Sequence, residues 1–256
     1  MLTVLSPAKS LDFDPVDIAP TPPRFPEETS SLVRTARRKG IRDLQDLMSI
    51  SEKLARLNRD RFRDWDIAPE KPAIFAFDGD TYTGFDAATL TDDALRHAQT
   101  HLRILSGLYG LLRPLDALKP YRLEMGSRLA TRRGKDLYAF WGDRIATVLN
   151  DDAAESGATH LLNCASQEYF GAVRTGTLAL PVVTPSFLED KPGGPKMISF
   201  FAKQARGAMA RFVVDNRLTD PADLRGFTTG GYVYQPDRSA PDRPVFLRPD
   251  QAAKAA

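Results

Sequence analysis

Apolar residues recur along the 256-residue chain with two different periods, and the alternation between them predicts the elements. The run LTVL at 2–5, closed by Ser6 and Pro7, has the length and punctuation of a buried strand feeding a loop. A proline-rich stretch, PTPPRFP at 20–26, resists regular structure. From 27 to 65 helix formers dominate, and Leu44, Leu47, Met48, Leu54, Leu57 and Phe62 keep roughly helical spacing, which predicts two or three amphipathic helices. AIFAF at 73–77 reads as a strand, turned by Asp78-Gly79-Asp80 toward YTGF. TDDALRHAQ, with a threonine cap and acids in its first turn, reads as a helix. LRILSGLYG follows as strand then turn, and KDLYAFWGDRIATVLN as one helix. HLLNCAS and ALPVVTPSFL read as strands, and MISFFAKQARGAMARFVVDN as a strand passing into a helix. Strands alternating with helices predict an α/β (mixed α+β) fold with a central sheet covered by helices. No internal repeat or low-complexity linker divides the chain, so a single domain is expected over 1–248, followed by a flexible tail at 249–256.

Composition narrows the class. With 42% hydrophobic and 27% charged residues, the chain can bury a sizeable core without disulfides. Its single cysteine, Cys164, has no intrachain partner, which suits a reducing compartment. No apolar run approaches the roughly 18 to 20 residues that span a bilayer, and MLTVLSPAKS lacks the marks of a signal peptide. A cytoplasmic protein with no membrane partner is therefore expected. The formal net charge of +2 is too small to argue for a polyanion partner, so the distribution of charge must carry that argument. Between 32 and 63 there are ten Lys and Arg against four Asp and Glu, between 113 and 135 seven against two, and between 196 and 217 five against one. Folded onto one face, these three segments would make a polyanion site.

The candidate chemistry lies in short motifs. In LSGLYGLLRPLDALKPYRLEMG at 105–126, Gly107 and Gly110 tolerate positive φ, so a tight turn there can aim backbone N–H groups at an anion, with Arg113 and Lys119 adding charge. The turn resembles the glycine hairpin of helix-hairpin-helix elements. However, two residues, Leu108 and Tyr109, separate its glycines where Gly-apolar-Gly is usual, and a plain turn between strand and helix is the competing reading. In FFAKQARGAMARF, helical spacing puts Phe201, Ala205, Ala208, Met209 and Phe212 on one side and Lys203, Arg206 and Arg211 on the other. Gly207 leaves room beside Arg206 for a ligand or another backbone, and a solvated surface face is the alternative. SPAKSLD sets Ser6 and Lys9 after a strand, where a lysine of lowered pKa could activate the serine; capping or phosphate contact is the commoner outcome.

Neither a P-loop nor G-x-G-x-x-G is present, so no cofactor is expected. His97 and His101 are four apart, but without H-E-x-x-H and with His160 the only other histidine, no metal site is expected either. Asp78 and Asp80 read as turn formers or, failing that, as Mg²⁺ or acid–base groups. Cys164 reads as a buried, inert thiol unless a basic neighbour makes it peroxide-sensitive.

Taken in order, SPAKSLD, GDTYTGF, LSGLYGLLRPLDALKPYRLEMG, GKDLYAFWGD, NCASQEYF and FFAKQARGAMARF resemble the signature blocks of the YaaA peroxide-stress protein family, over residues 1 to about 248. Ser10 stands where threonine is common, and Cys164 where leucine often sits. The resemblance implies a cytoplasmic bacterial protein of the oxidative-stress response that limits free iron and protects DNA. It also implies a single α/β domain with a deep basic cleft and a helix-hairpin-helix-like element, and association with double-stranded DNA. Carried across by motif, residues 107–113 would be that element, and Lys9, Arg122, Lys135, Lys203 and Arg206 would line the cleft.

The leading expectation is a DNA-binding stress protein, monomeric and reading structure rather than base sequence, since few Asn, Gln or Arg stand on an obvious reading helix. The alternative is an enzyme acting on a nucleic-acid or phosphorylated substrate through Lys9, Asp80, Glu124 or Glu168. Direct iron sequestration is a poor third reading, with only three histidines and one cysteine to serve it.

Overall fold

LTVL is strand β1 (Leu2–Leu5), buried along its whole length, and it is the middle strand of the main sheet. The computed structural model describes residues 1–249, so the tail expected at 249–256 lies, but for Pro249, outside the described residues. After β2 (Ser10–Leu11) come three helices where the apolar spacing predicts them: α1 (Pro26–Arg37), α2 (Ile41–Met48) and α3 (Glu52–Arg63). Pro26 suits the first turn of α1, where its missing N–H has no partner to lose. Ser51 caps α3 by accepting from the Leu54 N–H.

The AIFAF segment departs from expectation. After β3 (Lys71–Pro72) it forms one helical turn, α4 (Ala73–Ala76), then β4 (Phe77–Asp78), and the next residues coil into α5 (Asp80–Phe85). A five-residue apolar run has too little periodicity to separate a strand from a buried helical turn. Here the Ala73 and Ile74 N–H groups donate to the carbonyls of Asp116 and Pro114, which fixes the turn from outside. α6 (Asp92–His101) starts at Thr91, whose hydroxyl accepts from the Ala94 N–H, as predicted.

β5 (Leu102–Ser106), β6 (Gly110–Leu112) and β7 (Ala117–Leu118) follow. KDLYAFWGDRIATVLN is two helices, α7 (Leu137–Trp141) and α8 (Arg144–Ser156), separated at Gly142 and Asp143. β8 (Leu161–Cys164) and α9 (Gln167–Phe170) come next. ALPVVTPSFL is split at Thr184 and Pro185 into β9 (Val182–Val183) and β10 (Ser186–Glu189). MISFF contributes no strand: α10 (Ser199–Asn216) begins directly. β11 (Val233–Tyr234) and β12 (Val245–Arg248) join β10 in a small second sheet.

The main sheet has the order β6-β5-β1-β8-β9, with β5, β1, β8 and β9 parallel and β6 antiparallel at one edge. Its register positions the site. Leu5 pairs with Ile104 on one side and Cys164 on the other, so Ser6, Ser106 and Ser166 leave the sheet along one edge, the carboxyl ends of the strands where α/β proteins place ligands. One apolar core runs from Met1 to Phe246, with a small satellite of Leu44, Met48 and Ala55 between α2 and α3.

α10 is less amphipathic than its sequence suggests. Ala202, Ala205, Gly207, Ala208, Met209, Ala210, Val213 and Val214 are all buried, and α5 crosses it at very short range. A Cβ on Gly207 would lie 1.8 Å from the Thr81 carbonyl oxygen, and one on Gly84 would lie 2.0 Å from that of Gln204. Gly207 therefore admits another backbone rather than a ligand. Arg211 is not a free cation, because it donates to the carbonyls of Phe85 and Asp86 and pairs with Asp215.

Gly207→Ala is expected to destabilise the fold by about 1–3 kcal/mol, because the overpacked crossing outweighs the helix-propensity gain of about 1 kcal/mol. The urea midpoint of the variant measures this, and a midpoint at or above wild type contradicts the crossing.

Candidate nucleic-acid interface

The bent stretch at 105–126 is not a helix-hairpin-helix element. Its glycine turn joins β5 to β6 as a β-hairpin, and residues 102–112 are buried throughout. Gly110 has φ +70°, and a Cβ there would strike the Trp141 ring at 2.6 Å, while a Cβ on Gly107 would lie 2.4 Å from the Leu123 carbonyl, so both positions require glycine. The turn's polar groups are spent internally. The Tyr109 N–H donates to Ser106 Oγ, and the Trp141 indole N–H donates to the Gly107 carbonyl. Arg113 pairs with buried Asp116 and donates to the Pro22 carbonyl. Lys119 donates to the Trp65 carbonyl, lies over that ring and reaches Glu70. Gly107, Gly110, Arg113 and Lys119 are therefore packing and ion-pair residues, and none of them presents donors to an outside anion.

A helical hairpin does exist, at α2–α3. Ser49 ends α2 in the left-handed region (φ +50°), Ile50 follows, and Ser51 caps α3. Ser-Ile-Ser stands where Gly-apolar-Gly is usual, so the small-apolar-small signal was present in the sequence under another residue type. Leu44, Met48 and Ala55 lock the two helices together. On the outer side Arg56 pairs with Glu52, and Arg59 and Arg63 pair with Asp60 and Asp64; exposed Lys53 stands outside these pairs.

Two of the basic segments meet beside this hairpin. A cleft of about 430 Å³ lies between Lys39, Asp43 and Ser49 on one wall and Gly126 and Arg128 on the other. The same loop continues into a narrow crevice of about 10 Å³, lined by residues 7–9, 121–124 and Tyr169, at the carboxyl edge of the sheet. Glu124 sits at its centre, 3.0 Å from Lys9 Nζ and 3.0 Å from the Arg122 guanidinium. Half-buried Arg61, from α3, is held below its usual pKa by burial and by the charge of Arg122. Above the crevice, Tyr82 donates to the Ser6 carbonyl, Ser6 Oγ accepts from the Ser166 N–H, and Ser106 and Tyr121 share a hydrogen bond of 2.6 Å. Burial raises the phenol pKa of Tyr82, Tyr121 and Tyr169, so all three stay neutral hydrogen-bonding groups.

The third basic segment reaches the same edge less completely. Lys203 pairs with Asp80 at 3.6 Å. Arg206 lies near Cys164 with its pKa lowered by burial. Lys135 is exposed just before α7, and no contact ties it to the crevice. The acid–base candidates are engaged: Glu124 holds Lys9 and Arg122, Asp80 holds Lys203, and Glu168 accepts from the Gly126 N–H at 2.9 Å. Ser6 accepts from a backbone N–H, and Lys9 turns away from it to Glu124, so the pair is not arranged as nucleophile and base. Sequence reasoning missed Arg61, Lys39, Lys53 and Arg128; all four lie inside the basic segments it marked.

Cys164 is buried and its thiol is pushed up to about 12 by desolvation, against the opposing pull of Arg206, which makes it a poor nucleophile at neutral pH. His97 and His101 stack with ring centroids 4.1 Å apart and are half-buried. Among the described residues no three His, Cys, Asp or Glu side chains are grouped to hold a metal, and no helix is long and apolar enough to cross a membrane.

Residues 1–238 match the family model described as peroxide stress protein YaaA. A UPF0246 protein of Ruegeria pomeroyi is 58% identical over 98% of this chain and 100% of its own length. Relatives of the same designation from Jannaschia sp. (57% identical, 100% of both chains) and Dinoroseobacter shibae (58%, 100% of this chain and 98% of its own) extend the likeness.

The stacked histidines make stability depend on pH. Burial first, and then the charges of His101 and Arg217, lower the His97 pKa to about 4. The unfolded chain therefore binds more protons between about 6.5 and 4, and stability falls as pH drops through that window. The expected loss attributable to His97, at most about 2 kcal/mol after allowing for the ring's partial exposure, is the difference between wild type and His97→Gln in urea midpoints at pH 7 and pH 5. Equal pH dependence in the two proteins contradicts a neutral, desolvated His97.

Proposed function

The chain belongs to the YaaA peroxide stress protein family, and from that membership and the cleft beside α2–α3 we propose that it binds duplex DNA through its phosphates, as part of the peroxide response. The observation that carries this reading is the meeting of the two most basic segments, with Lys39 facing Arg128 across one cleft and Arg61 near enough to Arg122 for their charges to act on each other. The hairpin supplies a second element suited to a sugar–phosphate backbone. Its turn is exposed at Ser49 and Ser51, and the first N–H groups of α3 lie beside Lys53. Asp43, Asp46 and Glu124 interrupt the positive charge, so affinity comes from several moderate phosphate contacts rather than one strong patch. Lys9 and Lys203 extend the path along the carboxyl edge once DNA phosphates compete with Glu124 and Asp80 for them. Contacts made to phosphates carry no base sequence, so the reading is by shape.

Limiting free iron, the other role the resemblance implies, is read here as a consequence of DNA contact, since no grouped donor set among the described residues serves direct sequestration.

Fluorescence anisotropy with a labelled duplex tests the reading. Affinity should fall with salt at a slope of roughly −0.9 per phosphate contacted. Lys53→Glu combined with Arg128→Glu, both exposed positions, should weaken binding at least about tenfold at low salt and flatten the slope by about two contacts. Unchanged affinity and slope would remove the hairpin and cleft from the interface.

A further inference from the structure

We propose that Arg61, Arg122 and Lys9 form a site for one phosphate group, in the crevice between the 7–9 and 121–124 segments. The cations here are short of partners. Arg122 is four-fifths buried, yet among the described residues its Nε has no hydrogen-bond partner and its one ion pair is with Glu124. Arg61, half-buried and close to Arg122, takes part in no ion pair or hydrogen bond among the described residues. Lys9 shares Glu124 with Arg122, so two cations contact one carboxylate, and the charge of Arg61 acts on Arg122 as a third. Guanidinium donors withdrawn from water without acceptors are costly, and two like charges side by side add to the cost. A tetrahedral dianion removes both costs, because its oxygens can take Nε and the terminal N–H groups of both forks.

The rest of the crevice suits that ligand. Tyr169 lines the crevice, and burial raises its phenol pKa, so it stays a neutral hydroxyl able to donate. The space of about 10 Å³ holds about one water, so a phosphate enters as Lys9, whose side chain is 64% exposed, swings off Glu124 to make room and then pairs with the phosphate. The position at the carboxyl ends of β1 and β5 is where parallel sheets place ligands.

The phosphate can belong to a nucleic-acid terminus or to a small molecule. The terminus arm rests on the DNA reading above, and the small-molecule arm does not. Inorganic phosphate, titrated by calorimetry against chloride at equal ionic strength, is expected to bind one per chain and to raise the melting temperature. Arg61→Gln should weaken this at least tenfold with the circular dichroism spectrum unchanged, and Arg122→Gln should do the same if it folds. Lys53→Glu should leave phosphate binding intact, so failure of the DNA reading leaves this result untouched. Duplexes with and without a 5′-phosphate separate the sources: preference for the phosphorylated end, lost in Arg61→Gln, identifies a nucleic-acid terminus, and phosphate binding without end preference identifies a small molecule. Absence of saturable phosphate binding to the wild-type protein, or equal binding by Arg61→Gln, overturns the proposal.

Discussion

Everything in the candidate site depends on the register of β1 between its two parallel neighbours. Because Leu5 lies opposite both Ile104 and Cys164, β1 and β8 end together and β5 only two residues later, so three loops far apart in the chain leave the sheet at one edge. Ser6 and Ser166 then bind each other, Ser106 binds Tyr121, and the 121–128 loop is drawn across the edge. A slip of one residue would turn every β1 side chain to the other face and break these contacts at once. The hydrophobic core therefore fixes the positions of the polar groups.

Charge distribution follows from the same packing. Where a cation lies under the core, as with Arg103 and Arg24 on fully buried Asp152, it is matched by a carboxylate, because an unpaired buried charge is prohibitively costly. Arg113 and Lys119 follow that rule and are bound inside the fold. At the carboxyl edge the matching is incomplete: one glutamate serves two cations, and Arg61 has no carboxylate partner among the described residues. The distinction between structural and available cations is thus one of partner count, and it separates residues that look alike in the sequence.

Much of the fold was legible in the sequence because long periodic segments carry their own signal. The three early helices, the Thr91 cap and the buried strands at 2–5 and 161–164 fall where spacing put them. AIFAF failed because five apolar residues have no resolvable period, and the bonds that decide their shape come from the carbonyls of residues 114 and 116. The site was half legible. Local charge counts marked the segments that line the cleft and crevice, but the glycine pair at 107 and 110 served a tryptophan contact that sequence cannot show. The Ser-Ile-Ser turn at 49–51 was passed over because its small residues are serines. Gly207 was correctly read as a point of close approach, although the approaching group is α5 rather than a ligand.

Hydrogen exchange with and without a short duplex tests most directly whether the α2–α3 hairpin and the 121–128 loop form one interface. The account predicts added protection at 49–54 and 121–128 together, with no change at the buried 105–112 turn. Protection centred on 105–113, or on the remote face around Arg225 and Tyr234, with the hairpin unaffected, would contradict it.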